Sequence, residues 1–392
     1  MKKTICLMLA ALLLTGCAEV PEAVQNEIGN YHSEGDAEHT NTGFEYIDTA
    51  EIAQDMAKAI GRDYGQFHIS GQIRPTAPDA LYLMQFAKTA HFTAQFDRAM
   101  SLFFSGSALA GRETVRDDEG NMFFDDAEAR VYGCVGDDGF IAMLKPDVYD
   151  ISYSYSEPTV HIYHPARNEN LSDAYALADG ECSVADAVDF VNDWLEQSYH
   201  ALSPDFTHEA ETVIVREHEG KYLYEILVRA RRKNVPLDSY TQDFDRDGPH
   251  PQLLKYTNYG IQIQMVKSGK IASFTNLCGI FQPTETEQVR QCISLQSALA
   301  YCAETFTDFQ NLTVSDIQPM YTVEPEYTET KPGVFVLTGY HSRPVWALAI
   351  DVPPAEFLKS GEVNTYGDMR KYIYVDMLTG KLHYNFETVF RK

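Results

Sequence analysis

Two stretches of the chain share one pattern of apolar and polar positions. At 259–274, YGIQIQMVKSGKIASF alternates, breaks at Ser268-Gly269-Lys270 and alternates again. At 372–386, YIYVDMLTGKLHYNF does the same around Thr379-Gly380-Lys381. Alternation with period two predicts strands with one buried face, and a glycine between two such runs predicts a hairpin. The offset of 111 residues that lays Gly269 on Gly380 and Lys270 on Lys381 also lays Ser183 on Ser294 and Ala187 on Ala298. Each serine opens an apolar stripe of helical spacing. The first stripe is Val184, Ala187, Val188, Val191 and Leu195; the second is Leu295, Ala298, Leu299, Cys302 and Phe306. Both serines are good N-caps, and Asp186 completes a capping-box-like pair with Ser183. Strand-like runs follow each helix: TVIVR and KYLYEILVRA in the first copy, GVFVLTGYHS and PVWALAIDV in the second. The expected architecture is α+β, with a helix and a small antiparallel sheet repeated in tandem at 181–281 and 290–392.

Upstream, residues 46–180 read as a separate N-terminal α+β domain. QFHISGQI (66–73) alternates like a strand, with Phe67, Ile69 and Ile73 as inward candidates. Phe92, Phe96, Met100 and Phe103 form one helical stripe. Gly136-Asp137-Asp138-Gly139 between two apolar runs predicts a hairpin. His161 and His164, three apart in a strand-like run, point to opposite faces, which argues against a shared metal.

The first residues change the picture most. Lys2 and Lys3 precede the ten apolar residues Ile5–Leu14, far short of the roughly 20 that a spanning helix needs. A secretion signal fits this length. Its end, Leu14-Thr15-Gly16-Cys17, resembles the bacterial lipobox. That resemblance implies cleavage of residues 1–16, lipidation of Cys17 and an anchor on the outer face of the cell membrane. Residues 17–45 are polar, acidic and poor in large aliphatics, and read as a flexible tether.

The chain has 392 residues, 44% of them hydrophobic, ample for two or three packed domains. Its formal charge of −26 and pI near 4.7 argue against nucleic acid or an anionic lipid surface as partner. Five cysteines follow Cys17, so one at least stays unpaired within the chain. Cys278 and Cys292 flank the junction between the two modules, which allows one bridge there; small buried thiols, Cys302 among them, are the other reading.

Few residues suggest chemistry. Asp243, Asp245 and Asp247 in DFDRDG start like a calcium loop, but position 12 is Leu254 where a bidentate Glu is needed. The run reads either as a weak Ca2+ site or as a polar turn. Arg229, Arg231, Arg232 and Lys233 form the one basic cluster, either gripping an anion or pairing with nearby acids as a solvated strand end. Pro344 suits a strand edge, which would leave Tyr340 and Trp346 to meet a partner strand; Trp346 packing over the module's helix is the alternative. The motifs of common hydrolases, P-loop and dinucleotide enzymes are absent from the sequence.

The second copy resembles the PepSY-type and YycH/YycI-type extracytoplasmic modules of Gram-positive bacteria. It does so through Ser294, Ala298, Pro344, Trp346, Tyr374, Val375, Asp376, Thr379, Gly380 and Lys381. The first copy lacks the tryptophan and the aspartate. The whole chain is similar to clostridial-type lipoproteins whose domains carry no assigned function. The resemblance implies a non-catalytic module that binds or modulates an envelope protein, and it carries over no catalytic residue. The expected role is therefore a lipid-anchored binding or regulatory protein. The alternative is a cell-wall hydrolase or a ligand-capturing lipoprotein with a cleft between domains.

Overall fold

Both serine-capped helices form where the periodicity places them in the computed structural model of the chain. It describes residues 43–87, 92–103, 114–116, 122–126, 131–135, 141–144, 159–165, 169–238, 240–244, 254–256, 261–276, 282–307, 311–331, 334–351 and 371–384. The chain opens with β1 (Tyr46–Asp48), α1 (Ile52–Ala59), β2 (Asp63–Tyr64), β3 (Phe67–Ile69) and β4 (Leu81–Ala87). Next come α2 (Phe92–Phe103), β5 (Thr114–Arg116), β6 (Met122–Asp126), β7 (Val131–Val135) and β8 (Ile141–Leu144). β9 (Thr159–Tyr163), β10 (Ala174–Leu177) and β11 (Gly180–Ser183) lead into α3 (Val184–Gln197). Seven strands follow: β12 (Thr207–His218), β13 (Lys221–Arg232), β14 (Val235–Asp238), β15 (Tyr240–Phe244), β16 (Leu254–Tyr256), β17 (Ile261–Met265) and β18 (Ser273–Asn276). The last part holds β19 (Gln282–Val289), β20 (Gln291–Ile293), α4 (Leu295–Thr305), β21 (Leu312–Lys331), β22 (Val334–Asp351), β23 (Lys371–Asp376) and β24 (Leu382–Tyr384). The class is mixed α+β, with far more strand than helix.

The caps explain where the helices start. Ser183 Oγ accepts the amide of Asp186 at 3.0 Å and donates back to the Asp186 carboxylate at 2.6 Å. Ser294 Oγ accepts the amide of Ser297 at 3.1 Å. A second carboxylate reinforces this end: buried Asp55 of α1 accepts the Leu295 amide at 2.6 Å and the Gln296 side chain at 3.0 Å. A negative group at the first turn is favoured by both the free amides and the helix dipole. The residues buried from α3 are the five of its predicted stripe, and α4 buries Leu295, Ala298, Leu299 and Cys302.

The strands build two sheets. In the first the order is β5-β6-β7-β8-β18-β17-β13-β12-β9, antiparallel throughout. In the second, β2 pairs with β3, β3 runs parallel to β21, and β21 pairs with β22 along most of its length. The far side of β22 is shared: β23 and β24 cover residues 345–350, while β4 and then β19 lie along 339–342. β14 joins the sheets, antiparallel to the end of β13 and parallel to β21. No strand closes this network on itself among the described residues, so it is open and branched.

Two cores result, and they divide the chain differently from the sequence expectation. One core packs Val184, Val188, Val191 and Leu195 of α3 against Val213, Ile226, Ile263 and Phe274, with Met100 and Phe103 of α2 and Met143 of β8. The other packs Leu295, Leu299 and Cys302 of α4 against Ile317, Trp346, Leu348 and Val375, with Ile52, Met56, Phe67, Leu81 and Phe86. Residues 46–180 therefore do not share one core: the stretch to β4 belongs with the C-terminal sheet, and α2 to β11 with the first. The Gly136–Gly139 loop itself lies outside the described residues, but β7 and β8 on either side pair as a hairpin should. Cys182, Cys292 and Cys302 are buried free thiols, so the Cys278–Cys292 bridge is not formed.

Chain entry to the second core is fixed by close packing. Gly380 turns with φ +74° and sits under the ring of Phe44, where a Cβ would collide. Phe44 also meets Tyr301 of α4 edge-on, 5.3 Å between centroids, and the Ser294 amide donates to the Glu45 carbonyl at 2.8 Å. Gly269 has a similar φ of +62° but open space around it. Gly269→Ala is expected to cost about 1 kcal/mol, the price of the left-handed backbone alone. Gly380→Ala should cost clearly more in urea unfolding, and Phe44→Ala should recover part of the excess. Equal costs at the two glycines would contradict the packing explanation.

Candidate functional site

Among the described residues, buried charged side chains converge on the face of the first sheet turned away from α3. Along β13, Tyr224, Ile226 and Val228 point into the core, so Glu225, Leu227 and Arg229 point to the back. The neighbours in register add Arg216 and Thr212 from β12 and Gln262 and Gln264 from β17. This back face carries a small apolar cluster of Ile214, Leu227 and Ile162, yet Thr212, Arg216, Glu225, Arg229 and Gln264 around it are also buried.

Two ionic groups organise it. Arg216 Nε donates to Glu225 at 2.6 Å and its Nη1 reaches Thr159 Oγ1 at 3.2 Å, while the Gln262 amide donates to the other Glu225 oxygen. Arg229 Nε donates to Glu211 at 2.7 Å, and its Nη1 to the Leu237 carbonyl at 3.1 Å and to Asp238 at 3.4 Å. Asp238, wholly buried in β14, also accepts from the hydroxyl of Tyr374 in β23. Burial pushes the Asp238 carboxyl up to about 6, against the pull of Arg229 and Tyr374 and with a further push from Glu211. Tyr374 is held well above the usual phenol range by burial and by Asp238. Charged groups buried this way must satisfy one another, because an isolated interior charge is too costly to hold.

The basic cluster is spent in the same way. Arg231 pairs with Glu209 at 2.5 Å, Arg232 with Asp205 at 3.2 Å and with Glu285 of β19 at 3.0 Å. Lys233 reaches Glu285 at 2.9 Å and lies 4.0 Å over the Tyr82 ring of β4. Asn234 donates to Asp79 at 2.9 Å. The reading in which these residues pair with acids holds for Arg231, Arg232 and Lys233, and the last two share a partner, Glu285, on a strand of the other sheet. Arg229 differs, being interior where a solvated strand end was expected.

The partner-strand reading of Pro344, Tyr340 and Trp346 is corrected. Trp346 is fully buried, and its indole N–H donates to the Ile293 carbonyl at 2.8 Å, one residue before the α4 cap. β22 is paired on both sides here. Pro344 is tolerated because its missing N–H falls in the gap between β4, which ends its pairing at Ser342, and β23, which begins at Val345. Tyr340 lies opposite Pro325 and Phe86 in the backbone register. The other motif residues are structural too: Asp376 Oδ1 accepts the amides of Leu378 and Thr379, each at 2.8 Å, and so shapes the turn that Gly380 completes. In the first sheet Asp179, from the β10–β11 hairpin, supplies the carboxylate that caps the Ser268 amide at 3.0 Å.

Of the aspartate run, Asp243 lies in β15 opposite Lys255, and Asp245 and Asp247 fall outside the described residues, as does Cys17. Among the described residues, no three His, Cys, Asp or Glu side chains gather to hold a metal. His161 is exposed in β9, and His164, just past the end of that strand, is buried. His208 packs edge-on against Tyr199, 5.0 Å between centroids, and burial holds its imidazolium down to about 3. An open-mouthed polar cavity of about 350 Å³ lies between Asp48–Ala50, Pro78–Ala80, Gln288 and Arg290. No helix among the described residues is long and apolar enough to cross a membrane.

No protein-family model matches the chain, and no curated protein matches it.

Arg229→Met would leave Glu211 and Asp238 facing each other inside the protein, and should destabilise it by about 3–5 kcal/mol. Lys233→Ala removes a half-exposed, solvent-screened contact and should cost less than about 1 kcal/mol. Chemical denaturation of the two variants checks the ranking; a surface-like cost for Arg229→Met would mean the interior ionic group carries no weight.

Proposed function

We propose that the protein is a lipoprotein held on the outer face of the bacterial cell membrane through Cys17, where it binds or regulates an envelope partner without catalysing a reaction. The observation that carries the anchoring is Lys2-Lys3, ten apolar residues and Leu14-Thr15-Gly16-Cys17. A binding role draws support from the use made of the converging charges: Arg216 pairs with Glu225 inside the first sheet, and Arg229, Glu211 and Asp238 pair with one another where the sheets join. The likeness to PepSY-type and YycH/YycI-type modules points the same way.

We also propose that the two sheet units descend from one duplicated module. α3 is followed by the antiparallel series β12-β13-β17-β18, and α4 by β21-β22-β23-β24. Each helix begins at a serine cap and each series ends at a left-handed glycine turn, at one offset of 111 residues.

Cys17→Ser is expected to move the protein from the membrane fraction to the medium and to abolish labelling by a palmitate analogue. A Cys17→Ser protein that still sediments with membranes would remove the lipid anchor. Crosslinking of the lipidated protein on its own membranes, with Ca2+ supplied or chelated, addresses the partner. Release of soluble fragments from purified cell wall by the protein alone would favour the hydrolase reading instead.

A further inference from the structure

We propose that the polar cavity beside Arg290 binds a small zwitterion of the α-amino-acid type, its carboxylate held by Arg290 and its ammonium group by Asp48 and Asp79. The cavity exists because the ribbon 282–293 changes partner at Arg290. β19 pairs with β4 as far as Val289 opposite Leu81, and β20 pairs with β1 from Gln291 opposite Asp48. β1 ends at Asp48 and β4 begins at Leu81, so neither strand covers this point, and a space of about 350 Å³ opens between 48–50 and 78–80. The Thr49 amide donates to the Arg290 carbonyl at 2.9 Å and holds one wall against the ribbon. Strand alternation sets what the ribbon shows: Val289 is buried in the second core, so Gln288 and Arg290 face the other way, into the cavity.

The charges here are unspent. Among the described residues, the Arg290 guanidinium makes no hydrogen bond or ion pair, whereas Arg231, Arg232 and Lys233 are each paired with an acid. Asp48 uses Oδ1 for the Ala50 amide at 2.9 Å, and Asp79 uses Oδ2 for the Asn234 side chain at 2.9 Å. The second oxygen of each carboxylate is left to a ligand. One guanidinium beside two carboxylates is selective by sign. A simple anion is repelled by Asp48 and Asp79, and a simple cation by Arg290. A calcium ion also needs six or more oxygens. A molecule carrying an ammonium and a carboxylate matches both signs at once, the guanidinium fork taking the carboxylate and the aspartate oxygens accepting from the ammonium. The volume lies at the small end of ligand pockets, and Ala50, Pro78 and Ala80 offer only short apolar walls, so the ligand's own side chain is short. With an open mouth and screened charges, the affinity is about millimolar. The inference rests neither on the anchor at Cys17 nor on an envelope partner.

Nitrogen–proton NMR of the full folded chain tests it, with glycine, L-alanine and L-proline each titrated to about 20 mM. At least one should give saturable shifts at the amides of Thr49, Ala50, Asp79, Ala80 and Arg290 and at the side-chain amide of Asn234. The amide and the N-acetyl derivative of the tightest binder, which lack the carboxylate and the ammonium in turn, should each bind about tenfold more weakly. Arg290→Gln should weaken the zwitterion by a similar factor and leave the circular dichroism and the unfolding midpoint unchanged, since no partner of that guanidinium is lost. The proposal is overturned if none of the three shifts these signals, or if either blocked derivative binds as well as its parent. It is overturned equally if Arg290→Gln keeps the parental affinity.

Discussion

The hairpin tip between β13 and β14 is the constraint on which the rest of the molecule turns. Lys233 and Asn234 both adopt left-handed backbone, with φ of 48° and 64°, which suits a two-residue reversal but is uncommon for residues with a side chain. The strain is held in place by what the tip touches: Glu285 and Tyr82 on Lys233, Asp79 on Asn234, Asp205 and Glu285 on Arg232. All but Asp205 lie on or beside β4 and β19, which belong to the other sheet. Beyond the tip, β14 runs into the second sheet beside β21, and Val235 and Leu237 join its core. A chain that could not make this reversal would have two sheets and no join.

The two backs of the sheets are solved differently, and the difference bears on how they meet. The second sheet turns Met320, Val345, Ala347, Ala349, Tyr372 and Tyr374 away from α4, all buried and nearly all apolar. The first turns Arg216, Glu225, Arg229 and Gln264 away from α3, also buried. Apolar burial is non-directional and would tolerate a slip of the strands. A guanidinium held on Glu211, the Leu237 carbonyl and Asp238 has one geometry, so the ionic face fixes position where the apolar one supplies driving force. Tyr374 stands on the second back and reaches Asp238, which is where the two solutions join.

Local signals were legible in the sequence, and distant ones were not. Ser183 and Ser294 with their apolar stripes, and the runs around Gly269 and Gly380, each specify an element within about a dozen residues, so periodicity finds them. The split of residues 46–180 between two cores depends on β1 pairing with β20 and β4 with β19 and β22, partners 195 or more residues away. Nothing in the alternation of LYLMQFA names those partners. Arg229 was misjudged for a different reason. Its place in alternation with Tyr224, Ile226 and Val228 does put it on the back of β13, but charge suggested solvent. A nearby acid at cross-strand distance, Glu211 on β12, was the signal that it could be buried. Pro344 misled because a proline suits an edge, whereas β22 is long enough to offer a gap between two neighbours.

Four residues of the second sheet unit and its helix share a physical task. Ser294 starts α4, Trp346 pins the strand to the carbonyl just before that start, Asp376 gathers the turn amides and Gly380 lets the turn close under Phe44. Together they lock a helix to a hairpin, and each does so with a buried side chain or a backbone conformation that few other residues can replace. Such positions are constrained by the fold whatever the surface does. They specify how the helix and the hairpin are joined, and they leave the exposed surface of the unit free to vary. The first sheet unit has a serine-capped helix and a glycine turn but no such tryptophan, and its turn carboxylate comes from Asp179 on another hairpin.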